Sequence, residues 1–392
     1  MTTSLGSTQP ISVQRAAADS SKNNGAGAQT SDPAPITVGT SSENSATNSS
    51  SERKTLTAAG LIWVFYDNGC DVVYQTSADG GKTWSSPPTI AQSGIDRGWF
   101  FTLAQSGDTV YLVCAASDES QSDISFRSGN MSADGTIDWS SITQEIPYLG
   151  GGGTVPTVAV DTKGNAWVAI EDLQSDGRHV DVFKGSGSAW SEVFDLGGLA
   201  DYPRPILLSL TAGKVALEIL TEQPGQRHVV VYTTADGGST WSLPVTTADD
   251  DIFTLSAVAV GDSVYSVTSD TGGNILLWTY AYGNSSFASP IALAKCCSDG
   301  YDDAVISTDG TSFLFVAYSN SSSVVYETSK DLGRSWTPPT TIATTESGIQ
   351  YGTLATNPVT SGFVSVAWTA QSTAPNTHNV RCAVVTYTTP SS

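Results

Sequence analysis

The chain has 392 residues, with 38 acidic and 17 basic side chains and a formal net charge of −21. So acidic a surface repels phosphate backbones and anionic lipids, which argues against binding to nucleic acid or to charged membranes. The sequence contains no apolar run of the roughly 18 residues that a membrane-spanning helix needs. Its hydrophobic content of 39%, with 10 Trp, 14 Tyr and 11 Phe, is sufficient for a large packed core.

The N-terminal region is unlike the rest of the chain. Residues 1–32 and 41–52 are rich in Ser, Thr, Asn and Ala and contain almost no large apolar side chains. This composition predicts a flexible polar tail over 1–32 and a flexible linker within 33–52. The first residues lack the basic and apolar regions of a secretory signal. We therefore expect either a processed start or another route of export, for example inside a virion.

An eight-residue pattern recurs along the chain. Ser77-Ala-Asp-Gly-Gly-Lys-Thr-Trp84 returns as Thr234-Ala-Asp-Gly-Gly-Ser-Thr-Trp241 and as Ser329-Lys-Asp-Leu-Gly-Arg-Ser-Trp336. A degenerate copy ends at Trp139, and weaker copies end at Trp190 and Phe287. The closing aromatic residues are therefore spaced by about 50 residues, which indicates a structural repeat.

Each copy follows two short apolar segments that are rich in β-branched and aromatic residues. Leu61–Phe65 and Val72–Thr76, for example, precede the first copy, and no window has a sustained helical period. A unit of about 50 residues with four short strands is typical of a propeller blade. The sequence thus predicts an all-β, seven-bladed β-propeller over 53–392, with six blades as the alternative. The last unit lacks an outer strand, and Pro35–Gly39 is predicted to supply it and close the ring.

The repeated pattern resembles the Asp-box, or bacterial neuraminidase repeat, of sialidase-like β-propellers. The resemblance covers about 53–389 and implies the fold, because the box is a structural turn in that family. We expect the acids to accept backbone N–H bonds, the glycines to adopt positive φ and the tryptophans to pack between sheets. These structural residues are Asp79, Gly81, Trp84, Asp236, Gly238, Trp241, Asp331, Gly333 and Trp336.

A ligand site is predicted where the innermost strands begin, because a propeller gathers these segments around its axis. They are rich in carboxylates, arginines and aromatic rings, which suit sugar hydroxyls, acidic sugars and sugar ring faces, respectively. The candidate ligand-binding residues are Asp96, Arg97, Trp99, Asp201, Tyr202, Arg204, Asp250, Tyr301, Asp303 and Tyr351.

Two other interpretations of these segments stay open. Runs of aspartates supply the hard oxygen ligands that Ca²⁺ requires, although their spacing does not match an EF-hand. The candidate calcium ligands are Asp249, Asp251, Asp299 and Asp302. Alternatively, these acids are merely solvated loop residues of an acidic protein.

Catalysis is less well supported than binding. Sialidases that carry this repeat place an Arg-Ile-Pro motif before the first box, and this chain has none; Arg53, in Arg53-Lys-Thr, lies near the equivalent place. The leading hypothesis is therefore a non-catalytic propeller that recognises a glycan or glycoprotein receptor on a cell surface or virus particle. The alternatives are a sialidase-like glycoside hydrolase and a structural component of an assembly or virion that is anchored or self-assembled through the tail.

Overall fold

The computed structural model describes most of the repeat region. The described residues are 34–94, 100–115, 124–141, 143–147, 155–186, 189–199, 203–223, 226–248, 251–295, 303–319, 323–344, 349, 355–356 and 362–387. The predicted tail, 1–32, lies outside them. Among the described residues there is no helix of the length and hydropathy that crossing a membrane requires.

The described residues form antiparallel strands with one short 3₁₀ turn, Thr211–Gly213. The strands are β1 (Ile36–Ser41), β2 (Thr55–Ala58), β3 (Leu61–Asp67), β4 (Val72–Ser77), β5 (Thr89–Gln92), β6 (Phe101–Ser106), β7 (Thr109–Ala115), β8 (Ile124–Met131), β9 (Ile137–Trp139), β10 (Gln144–Glu145), β11 (Thr157–Val160), β12 (Ala166–Gln174), β13 (Gly177–Ser186), β14 (Ala189–Leu199), β15 (Arg204–Ser209), β16 (Val215–Gln223), β17 (Gln226–Thr234), β18 (Val245–Thr246), β19 (Ile252–Val260), β20 (Ser263–Asp270), β21 (Asn274–Ala281), β22 (Ile291–Lys295), β23 (Asp303–Thr308), β24 (Leu314–Ser319), β25 (Ser323–Ser329), β26 (Thr340–Thr344), β27 (Ala355–Thr356), β28 (Phe363–Gln371) and β29 (His378–Thr386).

These strands make the seven sheets of a β-propeller, as the sequence predicts. Blades 1 to 7 are, from the innermost strand outward, β2-β3-β4-β5, β6-β7-β8-β10 with β9 also on β8, β11-β12-β13-β14, β15-β16-β17-β18, β19-β20-β21-β22, β23-β24-β25-β26 and β27-β28-β29-β1. The predicted N-terminal closure is confirmed, because β1 pairs with β29 from Ile36↔Cys382 to Ser41↔His378. Pairing the first strand with the last blade removes two sheet edges.

The core lies between neighbouring blades, and this explains why the inner strands are apolar on both faces. Every residue of β3 is buried. Trp63 and Phe65 pack against blade 2, whereas Val64 and Tyr66 pack against blade 7. Successive side chains of a strand point to opposite faces, so a strand between two neighbours needs apolar residues at consecutive positions.

The strand order defines two faces of the ring. Because the strands within each blade are antiparallel, all innermost strands begin on one face, which we call the mouth face. The hairpins between second and third strands also lie there. Turns between third and fourth strands lie on the opposite face, and these turns contain the repeated eight-residue pattern.

Candidate functional site

Most of the predicted ligand residues lie outside the part of the chain that the structure describes. Arg204 and Asp303 are described, as is the predicted calcium ligand Asp251. The residues outside the described part of the chain are Asp96, Arg97, Trp99, Asp201, Tyr202, Asp249, Asp250, Asp299, Tyr301, Asp302 and Tyr351. Among the described residues, the candidate site therefore consists of Arg204, Asp251, Asp303 and the residues around the axis.

The three described candidates occupy different environments. Arg204 begins β15 and is half-buried, and its charge acts on Glu52. Asp303 begins β23 and is almost fully buried, at 1% exposure. Asp251 forms an isolated bridge with Arg227 and accepts a hydrogen bond from the Thr271 hydroxyl. A solvent-facing role therefore fits Arg204 and Asp251 better than Asp303.

The segment between β1 and β2 enters the axial channel, and this differs from the flexible linker that its composition predicts. Ala46, Thr47 and Ser50 are buried. The Thr47 amide donates to Thr369 Oγ1 of blade 7 at 3.2 Å, and the Ser50 hydroxyl donates to Leu255 O of blade 5 at 3.5 Å. Small hydroxyl residues are usually solvated, but here they find partners inside a polar channel, so composition alone is misleading.

A buried ion pair ends this segment, which we call the axial segment (residues 42–54). Lys54 Nζ lies 2.8 Å from Glu52 Oε2, and neither side chain is exposed to solvent. The Ser49 amide donates to the same oxygen at 3.0 Å, and Lys54 also donates to Phe101 O. Burial raises the pKa of Glu52 to about 7, although Lys54 opposes this shift.

Arg53 lies between the two members of this pair in sequence and binds two other blades. Its amide donates to Thr102 Oγ1 of blade 2 at 3.1 Å, and its Nη2 donates to Ala257 O of blade 5, also at 3.1 Å. Burial lowers the pKa of Arg53 to about 10, so the guanidinium stays charged at neutral pH. A guanidinium has five N–H donors in a fixed fork that matches a carboxylate.

Arg53 lines a small cavity on the axis. The cavity has a volume of about 20 Å³, and its wall consists of the axial segment and the innermost strands of blades 2 to 5. Four of the residues in that wall carry hydroxyl groups: Ser50, Thr102, Thr157 and Ser256. Such a volume admits one water molecule or one small substituent rather than a sugar ring. The geometry therefore suits recognition of a single anionic or polar group.

The repeated turns are remote from this cavity, on the opposite face. Asp79 Oδ1 accepts hydrogen bonds from the Lys82 and Thr83 amides at 3.0 and 2.9 Å, and Asp79 Oδ2 accepts from the Thr83 hydroxyl at 2.7 Å. Ser77 donates to the same carboxylate at 2.8 Å. Asp236 and Asp331 accept equivalent bonds from Thr240 and Ser335.

The other members of the repeated pattern fit the same turn. Gly81, Gly238 and Gly333 have φ of 85°, 94° and 86°, which side chains other than glycine rarely adopt. The aromatic residues that end the pattern pack between blades; these are Trp84, Trp241 and Trp336. Hydrogen bonds from Thr83, Thr240 and Ser335, in each case the largest contribution, lower the pKa values of the three aspartates to about 2. These residues shape hairpins and have no place at the mouth.

Sequence reasoning missed the buried Glu52–Lys54 pair. A signal was present, since three consecutive charged residues, Glu52-Arg53-Lys54, end a linker whose only other charged residue is Glu43, immediately before the first strand of blade 1. Charged side chains beside an apolar strand need either solvent or partners, and the ring offers partners at its axis. Only the position of the segment relative to blades 2 and 5, which sequence does not give, identifies those partners.

Comparisons with known proteins give the same fold. No family model and no curated protein matches the sequence. The structure is similar to the BP39L lectin from Burkholderia pseudomallei, with a TM-score of 0.65, 11% identity, and coverage of 86% of this chain and 96% of the lectin. It is also similar to polysaccharide lyase Uly1, with a TM-score of 0.53, 11% identity, and coverage of 86% and 90%. The phage phi92 endosialidase gives a TM-score of 0.51, 9% identity, and coverage of 91% and 69%. At these identities the likeness establishes a shared fold and leaves activity and ligand to the chemistry of the site.

Proposed function

We propose that the protein is a non-catalytic propeller that recognises an acidic glycan or glycoprotein at the mouth of its axial channel. The observation that carries this proposal is the Arg53 guanidinium in the wall of the small axial cavity. An arginine with bidentate geometry is well suited to the carboxylate of an acidic sugar. The cavity is too small for a sugar ring, so the glycan lies across the mouth and inserts one substituent.

The overall charge of the protein makes a local arginine site necessary. With a net charge of −21, the surface repels anionic ligands at long range. An anionic sugar is then bound only where nearby hydrogen-bond donors, such as an arginine, offset this repulsion at short range. Arg53 and Arg204 are the arginines at or beside the beginnings of innermost strands in the described part of the chain; Arg53 donates to Ala257 O, and the charge of Arg204 acts on Glu52.

The described acids at the beginnings of innermost strands favour binding over hydrolysis. Glycosidases use two carboxyl groups that flank the scissile bond. Glu52 is buried and paired with Lys54, Asp303 is buried, and Asp251 accepts a bond from Thr271. Among the described residues at these positions, therefore, two of the three acids are sequestered from a bound glycan.

The fold comparisons support a carbohydrate-related function without naming a ligand. One similar structure is a lectin, one is an endosialidase and one is a polysaccharide lyase. We place the protein on a cell surface or a virus particle, where a glycan receptor is accessible. A sialidase-like hydrolase and an assembly component anchored by residues 1–32 are the alternatives.

A glycan array with matched variants tests the proposal. The full chain is expected to bind carboxylated glycans, and Arg53→Gln is expected to weaken that binding at least tenfold. Arg334→Gln is the control, because Arg334 is an exposed arginine in a turn on the opposite face. Thermal unfolding confirms that each variant is folded, and Arg204→Gln provides a second variant at the mouth.

Two results would count against binding as the function. Absence of any glycan signal at high protein concentration contradicts the proposal directly. Turnover of a fluorogenic sialoside or a related glycoside by the unaltered chain would instead support the hydrolase alternative. Unchanged incorporation into particles after removal of residues 1–32 would exclude the anchoring alternative.

A further inference from the structure

Blade 3 contains a group of carboxylates that the mouth site does not use. Its members are Asp172 on β12, Asp181 on β13, and Glu192 and Asp195 on β14, and we call them the blade 3 carboxylate cluster. Asp181 lies opposite Asp195 in the strand register, and Asp172 lies opposite His179. Residues directly opposite each other in an antiparallel pair project to the same side of the sheet.

The two innermost carboxylates of the cluster are buried, and the described residues offer them only one donor, Gln174. Asp172 and Asp181 are 0% and 2% exposed. Within the described part of the chain, both carboxylate oxygens of Asp172 and Oδ1 of Asp181 have no hydrogen-bond partner. The two groups lie within hydrogen-bonding reach of each other, and Gln174 Nε2 is 3.5 Å from Asp181 Oδ2. A buried carboxylate without a donor or a cation is costly, and two adjacent ones repel each other as well.

The nitrogen-bearing side chain that faces the cluster is His179, and both of its ring nitrogens are already engaged. His179 Nδ1 lies 2.6 Å from Asp195 Oδ1, and His179 Nε2 lies 3.0 Å from Asp176 Oδ1. The nearby Arg178 pairs with Glu171, which lies on the other side of the sheet. Among the described side chains of blade 3, His179 therefore forms hydrogen bonds with Asp195 and Asp176 but not with Asp172.

The neighbouring blade shows that these acids are not required by the fold. In blade 4 the register pair Thr221↔His228 occupies the place of Asp172↔His179. Likewise Ile219↔Val230 occupies the place of Ile170↔Asp181, and Val230 pairs with Thr246 where Asp181 pairs with Asp195. Blade 3 thus carries three acids where blade 4 carries Thr, Val and Thr. In the sequence, the residue after Arg178-His-Val is Asp181, whereas the residue after Arg227-His-Val is Val230.

We propose that the blade 3 carboxylate cluster binds a divalent cation of the calcium type, with Asp172, Asp181 and Asp195 as ligands. One carboxylate oxygen of Asp181 and one of Asp195 lie within 4.8 Å of each other, and Asp172 lies within hydrogen-bonding reach of Asp181. Three carboxylates supply up to six oxygens, and hard cations such as Ca²⁺ take six to eight oxygen ligands, including water. Asp195 is 45% exposed at its side chain, so the cluster has a side from which a cation enters.

His179 has a supporting role in this site. It holds Asp195 by a short hydrogen bond on one nitrogen and is itself held by Asp176 on the other. A Cβ atom at Gly197 would overlap the His179 ring, so a glycine is needed for the ring to lie there. Such outer contacts orient a carboxylate ligand in metal sites. This site is independent of the proposed glycan recognition at the mouth.

Thermal unfolding after dialysis against a chelator tests the proposal. Added CaCl₂ is expected to raise the midpoint temperature of the full chain by several degrees once calcium reaches about 100 times its dissociation constant. The variant Asp172→Thr/Asp181→Val carries the residues of blade 4, so it is expected to fold and to show no calcium-dependent shift. Asp138→Asn, an exposed acid in blade 2, is the control and is expected to respond like the unaltered chain.

Calorimetric titration with CaCl₂ gives an independent readout. We expect one binding event in the unaltered chain and in Asp138→Asn that is lost in Asp172→Asn. Equal calcium responses in the unaltered chain and in Asp172→Thr/Asp181→Val would overturn the proposal, because the ion would then bind elsewhere. Absence of any calcium response would also overturn it. A response to ZnCl₂ alone that His179→Gln abolishes would overturn the assignment of an oxygen-only calcium site.

Discussion

Lys54 Nζ and Glu52 Oε2 lie 2.8 Å apart inside the axial channel, and both side chains are shielded from solvent. The pair stands where the chain passes from the axial segment into the first blade. Burial lowers the pKa of Lys54, although Glu52 opposes the shift. Desolvation of both charges therefore offsets much of their attraction, as in other buried ion pairs.

Removal of one member of this pair is expected to destabilise the protein strongly. Lys54→Met leaves the Glu52 carboxylate buried without its cation, at a cost of about 3–5 kcal/mol in the free energy of unfolding. Glu52→Gln/Lys54→Met removes both charges and is expected to cost less than Lys54→Met alone. Urea unfolding measures the three free energies, with the exposed Lys82→Met as the control. If the double variant is less stable than Lys54→Met, the unpaired charge is not the cause.

The repeated turns are expected to stabilise the protein in a pH-dependent manner. Hydrogen bonds lower the pKa of Asp79, Asp236 and Asp331 to about 2, below the ordinary value of 3.8. A depressed pKa in the folded state means that the stabilisation is complete above about pH 4 and is lost as pH falls through about 2.

Replacement of all three aspartates by asparagine is therefore expected to lower the midpoint temperature at pH 7. The difference from the unaltered chain should shrink as the pH falls from 4 towards 2. Thermal unfolding across that range measures it, with Asp138→Asn as a control that changes charge outside these turns. A difference that stays constant down to pH 2 would show that the turn does not depend on the ionised carboxylate.

Sequence patterns predicted the strands of the seven blades, but they did not predict the contacts along the axis of the ring. The blade strands and the closing strand follow from local periodicity and from the spacing of Trp84, Trp241 and Trp336, because each blade repeats the same packing problem. The burial of Thr47 and Ser50 was not predictable in this way, since their partners belong to blades 7 and 5. Likewise, Asp172 and Asp181 are ordinary acids in the sequence, and only the strand register shows that they lie on the same side of the sheet as neighbours. Neither composition nor the repeat spacing can predict contacts between segments that are far apart in the sequence.

Glu218 is a second buried acid whose ionisation is expected to limit stability. It is fully buried on β16, and the Ser266 hydroxyl lies 2.8 Å from each of its carboxylate oxygens. Burial raises its pKa to about 7 from 4.5, although Ser266 opposes the shift. Between these two values the folded state binds more protons than the unfolded state, so stability falls as pH rises through this range.

Glu218→Gln is expected to remove this penalty while keeping the size of the side chain and an acceptor for Ser266. Relative to the unaltered chain, its free energy of unfolding should improve between pH 5 and pH 8 by up to about 3 kcal/mol. Urea unfolding at both pH values measures the change, and the exposed Glu145→Gln is the control. An identical difference at pH 5 and pH 8 would show that Glu218 does not titrate in this range.

Closure of the ring is expected to depend on the absence of a side chain at Gly39. This residue lies in β1 at the irregularity in its pairing with β29, and a Cβ atom there would overlap the Tyr66 hydroxyl. Tyr66 is buried and donates a hydrogen bond to Gln75 Oε1 at 2.7 Å, so it has little freedom to move away. Gly39→Ala is therefore expected to destabilise the protein by about 1–3 kcal/mol, the usual cost of overpacking. Thr40→Ala, at an exposed position of the same strand, is expected to have little effect. Urea unfolding compares the two variants, and equal stabilities would show that the closing strand tolerates a side chain against blade 1.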